Sequence, residues 1–435
     1  MHYGLQPDRI DVDKVVKKIS LLYSTSIETP TSFALAKEIV DSIDVDFTNP
    51  TLKFLDPSCG RGTYLLALIN KLQNYHSLDH IANNMIYGCD VSSVQSAIAE
   101  KAVLLATGFK GNIICQDTLE YNFKQKFDVV LGGPPFQSIG ADGKRLDQAN
   151  NQWTKFVNKA ITELVKVNGF VAMVTPNSWL SPSADVGKGN TGINFYRDYF
   201  QVYKTHKINI DECGKHFATG SNFTYFVLQK QKPKKSFETK FVTVYGTTKQ
   251  DLKQVQYLPN VVSTESLSIN KKVLESNKQP FGFSNNNLPE TKVEYSRGEK
   301  TKEFKVAAYH TPARGGTFWY VKEPIKNSKT PKVIVSISGK YIPFYDHGGM
   351  SYTGMCLVYN LKENETLDNV KSIIESKLYK FVINNTTLTG WLSPVFRNLP
   401  RLDPTRKWTD AEIYDAFNLT KQEIKLIEGV DKPKS

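Results

Sequence analysis

The sequence predicts an α/β fold with a mostly parallel sheet, followed by a second domain of the α+β class. Three observations lead to this prediction. Short apolar runs typical of buried strands recur through residues 1–231, helical stretches separate most of them, and this rhythm stops near residue 231. Repeated strand–helix units with short turns build a parallel sheet that helices cover on both faces. A chain of 435 residues is long enough for two or three domains with apolar cores.

Seven strands are predicted in the first part of the chain, each as a short run of apolar residues. They are 53–55, 84–89, 112–115, 127–131, 169–174, 206–210 and 224–229. Apolar residues at helical spacing predict helices over 31–43, 64–72, 94–106 and 153–167. Thr29 and Pro30 suit the cap and the first position of the earliest helix.

The pattern changes at residues 231–235, which are charged and contain Pro233, as is typical of a linker. We therefore predict a first domain over 1–231 and a second, recognition domain over 232–435. The second domain is expected to be α+β up to about residue 403, because its apolar segments are short and are interrupted by glycine and proline. One or two short helices are predicted near the end, beginning with Thr409 as cap.

Composition narrows the functional classes. The chain is 40% hydrophobic and 23% charged, as in ordinary globular proteins. No apolar run approaches the ~20 residues that a membrane span needs, and residues 1–13 lack the core of a signal peptide. We therefore expect a cytoplasmic protein that does not associate with a membrane. The net charge of +12 suits a polyanionic partner such as nucleic acid, although a basic soluble protein without such a partner is the alternative.

The five cysteines are scattered and include no Cys-x-x-Cys pair. Three of them lie in or beside predicted buried strands, where cysteine acts as a small apolar residue. The sequence therefore predicts a reducing compartment, no disulfide and no metal site.

A glycine-rich turn, Asp56-Pro57-Ser58-Cys59-Gly60-Arg61-Gly62, follows the first predicted strand and opens a helix. Glycine lets the backbone approach a ligand closely, and a helix N-terminus favours a carboxylate. Asp90 and Asp117 end the next two strands, where a carboxylate accepts hydrogen bonds from a ribose or an adenine amino group. Each acid alone also fits a strand-end cap or turn residue. Acids at three successive strand ends favour a ligand site.

The fourth strand runs into Gly132-Gly133-Pro134-Pro135-Phe136. Proline fixes φ and lacks an amide hydrogen, so the chain leaves the strand along a set path. Such a turn can present backbone carbonyls and one aromatic face at the strand end, where open α/β sheets keep their sites.

These two motifs, in this order, resemble those of gamma-class adenine-N6 DNA methyltransferases of restriction–modification and phage systems. The resemblance covers roughly residues 18–231. It implies a Rossmann-like seven-stranded methyltransferase sheet, a C-terminal target-recognition domain and S-adenosylmethionine as cofactor. It also implies double-stranded DNA and a cognate restriction endonuclease as partners, and a bacterial or phage-encoded origin. The cofactor-binding residues that it implies are Tyr23, Thr29, Pro30, Asp56, Pro57, Ser58, Gly60, Gly62, Asp90 and Asp117.

The resemblance also implies a pocket for a flipped-out adenine. In the family, an Asn or Asp side chain and the first proline carbonyl accept the amino hydrogens, and aromatics stack on the ring. Pro134, Pro135 and Phe136 match this motif, and Phe217 lies where the family places a second stacking aromatic; core packing is the alternative for Phe217. Gly133 departs from the motif because it has no side chain.

The departure at Gly133 predicts a methyltransferase scaffold that methylates poorly or not at all. Losing one hydrogen bond to the reacting group costs about 10²–10³-fold in rate. Two explanations stay open, a laboratory substitution and natural degeneration. Two further classes also stay open: a non-enzymatic DNA-binding subunit or regulator, and a methyltransferase that acts on RNA or protein.

Basic residues in loops and among aromatics are predicted to contact DNA backbone or bases. For any single residue, a solvated surface charge is the alternative. The predicted contacts are Lys144, Arg145, Lys188, Arg314, Lys340, Arg397 and Arg401.

Overall fold

The computed structural model divides the chain into two compact units, Met1–Val255 and Gln256–Ser435. Each unit has its own apolar core. The structure describes residues 9–22, 31–135, 152–180, 195–210, 213, 216, 223–243, 246–255, 258, 262–284, 294–297, 299–311, 317–337, 341–386 and 393–429.

The first unit is built on one sheet of nine strands. In chain order the strands are β1 (Phe54–Asp56), β2 (Ile86–Asp90), β3 (Asn112–Cys115), β4 (Phe127–Gly132), β5 (Val165–Pro176), β6 (Lys204–Asn209), β7 (Phe223–Gln229), β8 (Glu238–Thr243) and β9 (Gly246–Asp251). Their order across the sheet is β3-β2-β1-β4-β5-β7-β6-β8-β9.

Strands β1 to β5 are parallel neighbours, whereas β7 lies antiparallel between β5 and β6. The seven predicted strands are all present, which confirms the predicted α/β fold, and two further strands, β8 and β9, extend the sheet from seven strands to nine. Because β1 to β4 are parallel, the turns after them meet at one edge of the sheet. That edge carries both sequence motifs.

Except for the three-residue helix Leu78–His80, the helices of the first unit bury apolar side chains. They are α1 (Val12–Leu22), α2 (Phe33–Asp41), α3 (Thr63–Leu72), α4 (Leu78–His80), α5 (Ser93–Thr107) and α6 (Gln152–Lys159). α6 continues as a π-helical turn over Ala160–Leu164, and β5 begins at once, so the helix ends earlier than the predicted residue 167. No helix among the described residues is long and apolar enough to cross a membrane.

The cap of α2 differs from the prediction. Ser32 is the N-cap, and its hydroxyl accepts a hydrogen bond from the Leu35 amide at 3.2 Å. The prediction of Thr29 was wrong because serine at 32 offers the same cap three residues later, next to the first buried turn. Thr29 and Pro30 lie outside the described residues.

Residues 231–235 join β7 to β8 within the same sheet, so they do not separate the two compact units. β8 pairs in parallel with β6, and β9 pairs antiparallel with β8. This long-range pairing extends the first unit to Val255. The functional division at 231/232 stays a prediction.

The second unit mixes small sheets with helices, as the α+β prediction has it. One sheet has the order β10-β12-β11-β15 and the other β14-β13-β16. The strands are β10 (Tyr295–Arg297), β11 (Val306–Thr311), β12 (Thr317–Val321), β13 (Lys332–Ser336), β14 (Phe344–Asp346), β15 (Ser351–Tyr352) and β16 (Cys356–Asn360). The helices are α7 (Thr264–Leu274), α8 (Leu367–Ile374), α9 (Lys377–Thr386), α10 (Ser393–Asn398), α11 (Asp410–Ala416) and α12 (Lys421–Gly429).

The predicted cap at Thr409 is present. The Thr409 hydroxyl accepts a hydrogen bond from the Glu412 amide at 3.3 Å, and the Glu412 carboxylate accepts one from the Thr409 amide at 2.8 Å. This reciprocal capping box satisfies two amides at the start of α11. Two short helices, α11 and α12, follow Trp408.

Candidate functional site

The turn after β1 is shaped by two glycines with left-handed backbone. Gly60 has φ +48° and Gly62 has φ +81°, a region that other residues rarely adopt. A Cβ atom at Gly60 would have no described neighbour within 4 Å, so the turn is open on that side. Gly62 begins α3 without a side-chain cap. The first amides of α3 are therefore free of a capping side chain and suit a carboxylate.

Asp56 is buried under this turn. Its Oδ1 accepts a hydrogen bond from the Ser58 amide at 3.1 Å, while its Oδ2 has no hydrogen-bond partner among the described residues. Burial, with a smaller contribution from the charge of Asp90, raises the pKa of Asp56 to about 8, although the Ser58 amide opposes the shift. The Ser58 hydroxyl is also buried without a partner in the described structure. Buried polar groups are normally hydrogen-bonded, so these two atoms leave room for a partner such as a ligand or a water molecule.

Asp90 braces the glycine-rich turn from the neighbouring strand. Its carboxylate accepts hydrogen bonds from the amides of Gly60 and Ser92, both at 2.9 Å. Asp90 is half-buried. A carboxylate offers about four lone pairs, so two acceptor positions are left for a ligand.

Asp117 is exposed in the turn after β3, where its Oδ1 accepts a hydrogen bond from the Leu119 amide at 2.8 Å. The next residue, Thr118, donates its hydroxyl hydrogen to the Pro57 carbonyl at 2.6 Å. The turns after β1 and β3 are thus joined across β2. Asp56, Asp90 and Asp117 lie at the carboxyl ends of three adjacent strands, as the spacing predicts.

Gly132 brings the Pro-Pro turn against the glycine-rich turn. A Cβ atom at Gly132 would lie 2.6 Å from Asp56 Oδ1, so close that the carboxylate or the strand end would have to shift. Glycine at this position therefore allows the end of β4 to pack on the Asp56 carboxylate. Gly133 follows, Pro134 is buried and Pro135 is exposed. The two motifs form one continuous site.

The start of α2 also reaches this edge. The Ser32 hydroxyl lies 2.7 Å from His216 Nδ1, which ties the segment before β7 to the start of α2. Glu38, one turn further along α2, accepts hydrogen bonds from Asn209 at 3.0 Å and Lys207 at 3.2 Å. These contacts hold α2 on β6.

Sequence reasoning missed two apolar side chains beside Asp90. Val91 is 71% exposed and Val94 is 65% exposed, which is unusual for valine. The sequence signal that could have revealed them is Val91, an apolar residue directly after Asp90 at the end of β2. Together they provide an apolar surface next to the braced carboxylate.

Several predicted site residues lie outside the described part of the chain or have undescribed side chains. Arg401 is described, and its guanidinium is paired with the buried Glu365 carboxylate, which favours a structural role. Arg397 lies in α10, but its side chain is not described. The residues outside the described part are Tyr23, Thr29, Pro30, Phe136, Lys144, Arg145, Lys188, Phe217, Arg314 and Lys340.

Comparison with known proteins agrees with the geometry of the first unit. Residues 16–190 match the model of the Eco57I restriction-modification methylase family. The type II methyltransferase M.CvrRI of Paramecium bursaria Chlorella virus XZ-6E is 23% identical over 327 residues, which are 74% of this chain and 77% of that protein. These matches support a restriction-modification methyltransferase.

Solved structures of restriction-modification proteins share the fold at low sequence identity. A nuclease-deletion mutant of the type ISP enzyme LlaGI, bound to a DNA substrate mimic, matches with a TM-score of 0.56 and 11% identity over 90% of this chain and 54% of that one. The type ISP enzyme LlaBIII bound to DNA matches with a TM-score of 0.54 and 12% identity over 98% of this chain and 41% of that one. This chain thus spans about half the length of these enzymes.

Proposed function

We propose that this chain is a DNA methyltransferase scaffold that uses S-adenosylmethionine and is directed at the N6 atom of a flipped-out adenine in duplex DNA. We further propose that Gly133 impairs or abolishes methyl transfer. The observation that carries the proposal is the packing of Gly132 on Asp56. This contact joins the glycine-rich turn, which is suited to binding a nucleotide cofactor, to the Pro-Pro turn, which is suited to holding an amino group.

The residues of the glycine-rich turn fit the cofactor. S-adenosylmethionine supplies an electrophilic methyl group when it is bound. The lone pairs that the loop leaves on Asp90 suit ribose hydroxyls, and the uncapped start of α3 suits a carboxylate. Val91 and Val94 suit an adenine face. The unpartnered Oδ2 of Asp56 suits a positively charged or hydrogen-bond-donating group.

The remaining predicted cofactor contacts belong to this proposal as well. Asp117 suits the adenine amino group, because it is exposed at the adjacent strand end. Tyr23, Thr29 and Pro30 precede α2, which is held at the same edge of the sheet through Glu38.

For the target base, the chain keeps one of two expected acceptors. The Pro134 carbonyl accepts one amino hydrogen, whereas Gly133 supplies no side chain for the other. A missing hydrogen bond at the reacting group costs about 10²–10³-fold in rate. Phe136 and Phe217 are proposed to stack on the flipped base. Supporting this, His216 beside Phe217 is bound to Ser32 at the same edge.

The proposed DNA partner agrees with the net charge of +12, because basic side chains release counterions from phosphates. The structures of LlaGI with a DNA substrate mimic, LlaBIII and DrdV with DNA are consistent with it. The proposed DNA contacts are Lys144, Arg145, Lys188, Arg314, Lys340, Arg397 and Arg401. A cognate restriction endonuclease remains a proposed partner.

A second candidate function is a DNA-binding subunit without catalysis. The specific observation that favours it is Gly133. The proposed site has residues for binding the cofactor and the base, but glycine lacks the side chain that would accept the second amino hydrogen. Specific binding of DNA and cofactor, with no transfer even after Gly133→Asn, would support this candidate.

Transfer of the labelled methyl group from S-adenosylmethionine tests the proposal. The chain and its Gly133→Asn and Gly133→Ala variants are compared on unmethylated duplex DNA, with RNA and protein as alternative acceptors. We expect label in adenine of DNA with Gly133→Asn only. Label in RNA or protein, or none with any variant that binds the cofactor, would contradict the proposal.

A further inference from the structure

Position 133 faces two hydroxyl groups. A Cβ atom built on Gly133 would lie 3.2 Å from Thr31 Oγ1 and 3.8 Å from the Tyr64 hydroxyl oxygen. Gly133 does not have a left-handed backbone, so its conformation does not require glycine. A side chain at this position would thus enter a space lined by hydroxyl groups, with a small shift of Thr31.

The Tyr64 hydroxyl oxygen is fully buried and lies beside the Thr31 hydroxyl, but no contact among the described residues gives it a hydrogen bond of good geometry. Tyr64 itself is only 4% exposed, in the first turn of α3. Burial raises the pKa of Tyr64, so the hydroxyl keeps its proton at neutral pH. A buried hydroxyl without a partner is rare and costly, and it calls for a partner that the described contacts lack.

Position 133 can supply a partner for this oxygen. A side chain attached at position 133 lies within its reach, because Cβ would already be 3.8 Å away. Thr31 directly precedes Ser32, the cap of α2, so the second hydroxyl is held by the contacts of that helix.

We propose that the Tyr64 and Thr31 hydroxyls form a niche that holds and orients a polar side chain at position 133, which makes Tyr64 a positioning residue for methyl transfer. The catalytic part rests on the proposed function, whereas the niche is a property of the folded chain. The niche explains the unpartnered hydroxyl: the protein is built for a side chain that Gly133 lacks.

A double-mutant cycle tests the niche without requiring activity. The four proteins are the chain, Tyr64→Phe, Gly133→Asn and the double variant, and the readout is the melting temperature. Tyr64→Phe removes an unpartnered hydroxyl from the chain, so we expect an unchanged or higher melting temperature. In the Gly133→Asn background it removes a hydrogen bond, and we expect a drop of about 2–4 °C.

Gly133→Ala is the matched control, because it adds Cβ without a polar group, and Tyr64→Phe should not lower its melting temperature. If Gly133→Asn does not fold, Gly133→Ser takes its place with the same expectation. An equal effect of Tyr64→Phe in the glycine, alanine and polar backgrounds would overturn the niche.

Kinetics separates the niche from the proposed function. In the Gly133→Asn background we expect Tyr64→Phe to lower kcat about tenfold and to leave KM for DNA unchanged. If Tyr64→Phe lowers the melting temperature only in the Gly133→Asn background and no protein transfers methyl groups, the niche stands and the proposed function is refuted. If methyl transfer occurs but Tyr64→Phe has the same effect on melting temperature in every background and leaves kcat unchanged, the proposed function stands and the niche is refuted.

Discussion

Gly132→Ala is the most direct single test of the contact between the Pro-Pro turn and the glycine-rich turn. The added Cβ would lie 2.6 Å from Asp56 Oδ1. Ordinary contact begins at about 3.4 Å, so the carboxylate or the strand end has to move by about 0.8 Å. Movement of the carboxylate would weaken its bond with the Ser58 amide, which shapes the glycine-rich turn.

The expected magnitude follows from overpacking at one buried site. Inserting a methyl group into packed surroundings costs about 1–3 kcal/mol. Strain of this size that falls on the cofactor complex lowers affinity about 5–150-fold. We therefore expect Gly132→Ala to weaken S-adenosylmethionine binding by a factor in this range, with a lower melting temperature if the free protein carries part of the strain.

Titration calorimetry with S-adenosylmethionine and a melting curve measure both effects. Gly429→Ala is the control, because a Cβ there has no neighbour within 4 Å in the described part of the chain and the backbone is not left-handed. Affinity and melting temperature of Gly132→Ala that both equal those of the control would refute the packing of Gly132 on Asp56.

Three further predictions concern charge and capping. The folded chain holds a proton on Asp56 that the unfolded chain releases, so the free energy of unfolding should fall as pH rises from about 4 to about 8. Asp56→Asn should reduce this fall in urea unfolding measured over the same pH range, and an unaltered pH dependence would contradict the raised pKa. Ser32→Ala should lower stability by about 1 kcal/mol by removing the cap of α2 and the bond with His216, whereas Ser32→Thr should retain most of it. Asp346→Asn should cost about 3–5 kcal/mol in urea unfolding, because Lys332 is fully buried beside it; a loss below 1 kcal/mol would argue against that pair.

The sequence predicted the strands and the site edge well, because both depend on local patterns. The buried part of β5, residues 169–174, is a continuous apolar run, and parallel strands align their carboxyl ends, so Asp56 and Asp90 could be placed together. The glycine-rich turn carried a further local signal in Gly60 and Gly62.

What the sequence did not predict depends on long-range pairing. Nothing near residues 231–235 shows that β8 pairs with β6, since that register joins segments distant in sequence. The bond of Asp90 to the Gly60 amide and the pairing of Arg401 with Glu365 are likewise set by the packed fold. The pairing of Arg401 with Glu365 could not be predicted from the local sequence, and a DNA contact of Arg401 stays a prediction.

The most direct test of the account is single-turnover methyl transfer to unmethylated duplex DNA at saturating S-adenosylmethionine, with the cofactor Kd measured in parallel for the chain and for Gly133→Asn. The account predicts equal cofactor Kd values and a rate at least about 10²-fold higher for Gly133→Asn, with the label on adenine N6. Equal rates for the two proteins, or a rate gain explained by tighter cofactor binding, would contradict the claim that position 133 limits an otherwise complete methyltransferase site.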